Sequence, residues 1–150
     1  MKLLFTISTL FVFTLNLRGQ SRLITGRIIG EDLEFVPGAS VFDRDLVEIA
    51  KTNLNGQFTV KLPESTNELL FAFIGMEPIT LELKNGCDTI EVIMMHDLTY
   101  DFMTLKRVDR LRYKRFKRLP ELHQMAFEKN IFSTISPCYE RVFEYYDPKK

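Results

Sequence analysis

A chain of 150 residues has material for one domain with an appendage, or at most two small domains, and its 45% hydrophobic content is enough for a packed core. The formal net charge of zero is unevenly divided: residues 20–100 hold 6 basic and 13 acidic side chains, residues 101–150 hold 12 basic and 7 acidic. An acidic first part and a basic second part should attract each other.

The chain starts with one lysine, an apolar run from Leu3 to Leu15 and a polar break at Asn16 to Gln20. That is the shape of a secretory signal peptide over residues 1–19, because the run is shorter than the roughly 20 residues of a membrane span. An uncleaved anchor, with Arg18 just past the run, is the rival reading. Cleavage is favoured, since no second apolar segment lengthens the run and Gly19 is small enough for the cut. The exported protein then begins at Gln20 or Ser21 and lies in the periplasm or at the outer membrane. In such an oxidising place Cys87 and Cys138 can pair; a bridge would close a loop of roughly 50 residues and contribute about 4 kcal/mol by chain entropy. Two separate thiols are the alternative.

Residues 22–96 read as an all-β domain. Leu23–Ile29 is a strand with Ile24, Gly26 and Ile28 on one side, and Pro37-Gly38 is a turn leading to Ala39 and Val41. Val47–Thr52 follows, then the Asn53–Gly56 turn and the cleanest alternation in the chain, with Phe58, Val60 and Leu62 on one face. Glu68–Gly75 is apolar on both faces, as a strand covered on each side would be. Ile79–Leu83 and Thr89–Met94 flank Asn85-Gly86, the usual signature of a hairpin. Seven short strands point to a Greek-key β-sandwich, transthyretin-like or Ig-like, with Phe58, Val60, Phe71, Phe73, Leu81 and Val92 in its core.

From residue 97 to 150 the period changes. Leu98, Phe102, Leu105, Val108, Leu111 or Arg112, Phe116 and Leu119 recur at three- and four-residue spacing, which predicts one amphipathic helix from Leu98 to Leu119 ended by Pro120, and a second over 121–130. Phe132, Tyr139, Phe143, Tyr145 and Tyr146 are too many aromatics for a disordered tail and are expected to pack.

These residues resemble the carboxypeptidase regulatory-like domain, a transthyretin-like sandwich found at the N-terminus of many TonB-dependent outer-membrane receptors and in other envelope proteins. The matches are Gly26, Pro37-Gly38-Ala39 with Val41, Thr52-Asn53 with Gly56, Phe58 and Val60, and Ile74-Gly75. Asn53 stands where aspartate is usual, and Met76 replaces an aromatic. The resemblance implies a module without catalytic residues or a cofactor; no strands of barrel type follow it.

Other chemistry finds little support. Glu31, Asp32, Glu34, Asp43, Asp45 and Glu48 crowd two loops but fit no calcium-loop spacing, so no metal is expected. His96 and His123 have no companion at ligand spacing, and there is neither a nucleophile elbow nor a phosphate-cradling glycine loop. The feature above background is the basic run Lys106, Arg107, Arg110, Arg112, Lys114, Arg115, Lys117 and Arg118, interrupted by the single acid Asp109. It suits anionic lipid, an acidic glycan or an acidic protein face, or it neutralises the chain's own acidic sandwich; export argues against nucleic acid. The sequence therefore reads as a non-enzymatic exported module that docks to another envelope protein, with binding to a membrane or acidic-glycan surface through residues 106–118 as the alternative.

Overall fold

The computed structural model describes residues 20–146, so the signal-peptide reading of residues 1–19 lies outside them. The strands are β1 (Ser21–Gly30), β2 (Ser40–Phe42), β3 (Glu48–Lys51), β4 (Gln57–Pro63), β5 (Glu68–Ala72), β6 (Ile79–Leu83) and β7 (Thr89–Met94). Helices α1 (Leu105–Phe116) and α2 (Leu119–Glu128) come next, and a short β8 (Tyr139–Glu140) returns to the sandwich. One sheet has the order β4-β1-β7 and the other β3-β2-β5-β6-β8.

The alternating residues do what alternation requires. Ile24, Ile28, Phe58, Val60, Ile90 and Val92 face Val41, Leu69, Phe71, Ile79 and Leu81 across one buried layer, with the Phe58 and Phe71 rings edge to face at 5.6 Å. Phe73, expected in this core, is only partly buried at its margin. Gly26 is fixed by close approach: a Cβ there would sit 2.2 Å from the Ile90 carbonyl oxygen and 2.5 Å from the Phe58 ring.

Three expectations are corrected. Asn85-Gly86 makes its tight turn, with Gly86 at φ +77° and the Cys87 amide donating to the Lys84 carbonyl at 3.1 Å, but β6 and β7 are not a hairpin. β6 pairs with β5 and β8, whereas β7 crosses to the other sheet and runs parallel to β1 from Thr25↔Thr89 to Gly30↔Met94. The turn signal specifies a local reversal and not the partner; β7 also carries Ile93, which needs cover on its second face, and α2 supplies that cover. For the same reason the strand buried on both faces is β7 and not β5, where Leu70 and Ala72 are half-buried and Ile74 beyond them is exposed.

The helix boundaries also differ. α1 begins only at Leu105, Leu98 and Phe102 precede it in exposed chain, and Phe102 has φ 59°. Pro120 opens α2 within its first turn, where a missing N–H costs nothing. Leu122 and Ala126 of α2, with Phe132, pack on Ile29 and Ile93 to form a second small core on the outer face of the β4-β1-β7 sheet. Phe132 is the one tail aromatic that is deeply buried; Tyr145 and Tyr146 stay half exposed.

Gly26→Ala should lower stability by about 3 kcal/mol, the upper end for overpacking, because the obstructing atom belongs to the backbone of β7. Urea unfolding measures it, and a wild-type midpoint would contradict the register of β1 on β7.

Candidate functional site

The basic run splits by helix geometry. At 100° per residue, Lys106, Arg107, Arg110, Lys114 and Lys117 fall within about a third of the circumference of α1, and Arg118 lies just past its end. All six are exposed, and among the described residues none of them is in an ion pair. The opposite face turns Val108, Asp109 and Arg112 into the protein.

Arg112 and Arg115 are thus not free for a partner. The Arg112 guanidinium donates to both Glu77 carboxylate oxygens at 3.0 and 2.7 Å, to Asp109 at 3.3 Å and to the Glu144 carbonyl at 2.9 Å. The Tyr146 ring covers it at 3.8 Å, and the side chains of Arg112 and Glu77 are only 7% and 6% exposed. Arg115 bonds both oxygens of Glu31, the His96 carbonyl at 2.8 Å and the Tyr100 hydroxyl at 3.1 Å. Burial pushes the Glu31 carboxyl up, but the Arg115 bond and the His96 amide together bring it below its usual range. These forked pairs are the strong kind of charge-assisted bond.

A third carboxylate fixes the chain beyond α2. Glu91, buried on the outer face of β7, accepts from the amides and hydroxyls of Ser133 and Thr134 at 2.6 to 2.9 Å. The Cys87–Cys138 disulfide, with Cα atoms 5.5 Å apart, and the Tyr139 hydroxyl on the Glu91 carbonyl at 2.9 Å then tie the chain beside β6 and β7. Glu77 and Glu91 are not evident as partners in the sequence. The available sign was a single acid within an otherwise apolar stretch, as in TIEVIM.

The acidic loops hold themselves. Asp32 accepts from the Glu34 amide and Asp43 from those of Asp45 and Val47, and among the described residues no three ligand-type side chains gather at one point. The His96 Nε2 lies 3.3 Å from Asp32, and His123 Nε2 donates to the Thr134 carbonyl at 3.0 Å; burial lowers the His123 pKa, so its ring is neutral near pH 7. A shallow polar groove of about 720 Å³ crosses the outer face of β1 and β4, lined by Thr25, Arg27, Gln57 and Thr59.

The model of the CarboxypepD_reg-like domain matches residues 24–101, from within β1 through β7 and into the chain leading to α1. The protein belongs to this family. No curated protein matches the chain. The CarboxypepD_reg-like signature is architectural. The Thr52 hydroxyl donates to the Val36 carbonyl at 2.6 Å and accepts from the Ala39 amide at 2.8 Å, which clamps the Pro37-Gly38 turn. Asn53 accepts from the Asn55 and Gln57 amides, both at 2.9 Å, closing the turn into β4; aspartate would do the same. A CarboxypepD_reg-like domain is a non-catalytic β-sandwich module, and its matched region ends before the basic helix begins.

Two neighbouring cations should behave oppositely. Arg112→Ala removes both hydrogen bonds to Glu77, leaving it only the longer ion pair with Arg115 at 3.9 Å, and is expected to cost about 3 kcal/mol, whereas Lys114→Ala should stay within about 0.5 kcal/mol of the parent. Equal effects in chemical denaturation would contradict the two-sided reading of α1.

Proposed function

We propose that the protein is an exported, non-enzymatic module whose sandwich displays α1 as a docking face for an acidic surface on another envelope protein. Export is supported by the apolar run at Leu3–Leu15 and by the cysteine pair, which suits an oxidising compartment. The observation that carries the docking reading is the bare arc of Lys106, Arg107, Arg110, Lys114, Lys117 and Arg118, left over after Arg112 and Arg115 have satisfied the sandwich. Such a face gains little by folding and repels itself, so its charge is of use to a second molecule.

A second reading is favoured by one observation. Phe102 is fully exposed at the tip of the chain entering α1, with Met103 and Leu105 also exposed and Lys106 and Arg107 beside them. An apolar tip with a cationic collar suits an anionic membrane surface.

Reversing three charges, Lys106→Glu with Arg110→Glu and Lys114→Glu, should leave the fold intact and abolish capture of the partner from native envelope extract. Wild-type capture should fade between about 50 and 500 mM salt as screening shortens its range. Salt-insensitive capture that survives the triple substitution would contradict docking through α1. Flotation with phosphatidylglycerol but not phosphatidylcholine vesicles, lost in Phe102→Ser, would favour the membrane reading instead.

A further inference from the structure

A cleft of about 370 Å³ opens where the α1–α2 junction meets β7 and the chain around β8. This volume is at the lower end of the roughly 300 to 1,000 Å³ typical of small-molecule sites. Its walls are Ile93, Phe116, Leu119, Pro120, Pro137 and Tyr139, an almost wholly apolar lining. Both sides are held rigidly: the Cys87–Cys138 bridge and the Tyr139 hydroxyl fix one, and the packing of α2 on Ile93 fixes the other. The polar members are Arg141, Lys117 and the neutral His123, and among the described residues no acid lines the cleft.

Arg141 is the anomaly. It is a half-buried guanidinium whose one hydrogen bond among the described residues runs from Nη1 to the Ile93 carbonyl at 3.0 Å, and it stacks 5.4 Å from the centre of the Phe116 ring. Arg112 and Arg115 each hold a forked carboxylate, but among the described residues none lies within ion-pair distance of Arg141. Glu77, already held by Arg112, and exposed Glu144 act on it only through space, and the Arg112 charge opposes it. Burial lowers its pKa despite the opposing pull of Tyr139, Glu77 and Glu144. Its remaining N–H groups are not sealed within protein, and Arg141 lines both this cleft and a small neighbouring one of about 30 Å³ beside Glu77 and Glu144.

We propose that this cleft is a binding site for a small amphipathic carboxylate, its apolar body against Phe116, Leu119 and Pro137 and its carboxylate on Arg141. The planar fork of arginine matches a carboxylate in two parallel bonds, and a guanidinium without an ion-pair partner among the described residues, set beside apolar walls, selects one charged end and one greasy one. Lys117, also in the lining, adds attraction without competing for the fork. The cleft shares Lys117 with the bare arc of α1, but Arg141 lies outside that arc, so Arg141→Gln tests the cleft apart from the docking function.

Calorimetry on the oxidised protein with monomeric decanoate, decanol and acetate tests the proposal. Decanoate should bind once per protein, and decanol and acetate at least about tenfold more weakly, the loss of one charge-assisted contact or of the apolar body. Arg141→Gln should weaken decanoate by about the same factor. Should that variant fail to fold, amide shifts in the wild-type protein decide: decanoate should move Ile93, Leu119, His123 and Arg141 together. No saturable binding, equal binding of decanol, undiminished binding by Arg141→Gln, or shifts on another face would each overturn the assignment.

Discussion

Three carboxylates on the outside of the sandwich, Glu31, Glu77 and Glu91, are largely withdrawn from water, and the rest of the molecule is arranged to satisfy them. A charge cannot be buried without partners except at a cost of several kcal/mol, so whatever covers these acids must bring cations or donors. Each takes a different piece of the C-terminal extension: Arg115 goes to Glu31, Arg112 to Glu77, and the Ser133-Thr134 turn to Glu91. Together they set the rotation of α1 and the path of the chain after α2. The disulfide adds the entropy of a closed loop with a sequence separation of 51, about 4 kcal/mol on that model.

Two surfaces result from that arrangement. Because Arg112 and Arg115 point inward, the remaining cations of α1 must point outward, and the helix is a clamp on one side and a charged face on the other. Because the extension turns back through Pro137 to Tyr139 to reach β6, a cleft is left under the α1–α2 junction with Arg141 on its wall. Apart from Ile93 on the cleft wall, both features are built from residues beyond the matched region, which ends at residue 101.

Much of the sandwich was legible because period-2 alternation is a direct statement of one buried face, as in Gln57–Leu62. Strand pairing was less so: Asn85-Gly86 reports a reversal of direction, and nothing local to it says that β7 continues to β1. The helical stripe misled for a related reason. Leu98 and Phe102 fit the spacing, but a period does not mark where a helix starts, and α1 buries an ion pair where an apolar row was expected. The charge asymmetry between the two halves carried the right physics, an acidic platform under a basic extension. Which two of eight cations would be consumed depended on the positions of Glu31 and Glu77 in space, and no spacing in the sequence encodes those.

Native-state amide hydrogen exchange on the oxidised protein tests most directly whether the extension is an integral part of the fold held by these carboxylates. Buried amides of α1 and α2 should exchange through the same global opening as those of β1 and β7, with the protection of all four lost together in mild denaturant. Exchange of α1 and α2 through a separate opening, orders of magnitude faster than that of β1 and β7, would show a tail resting on a finished sandwich and would contradict the account.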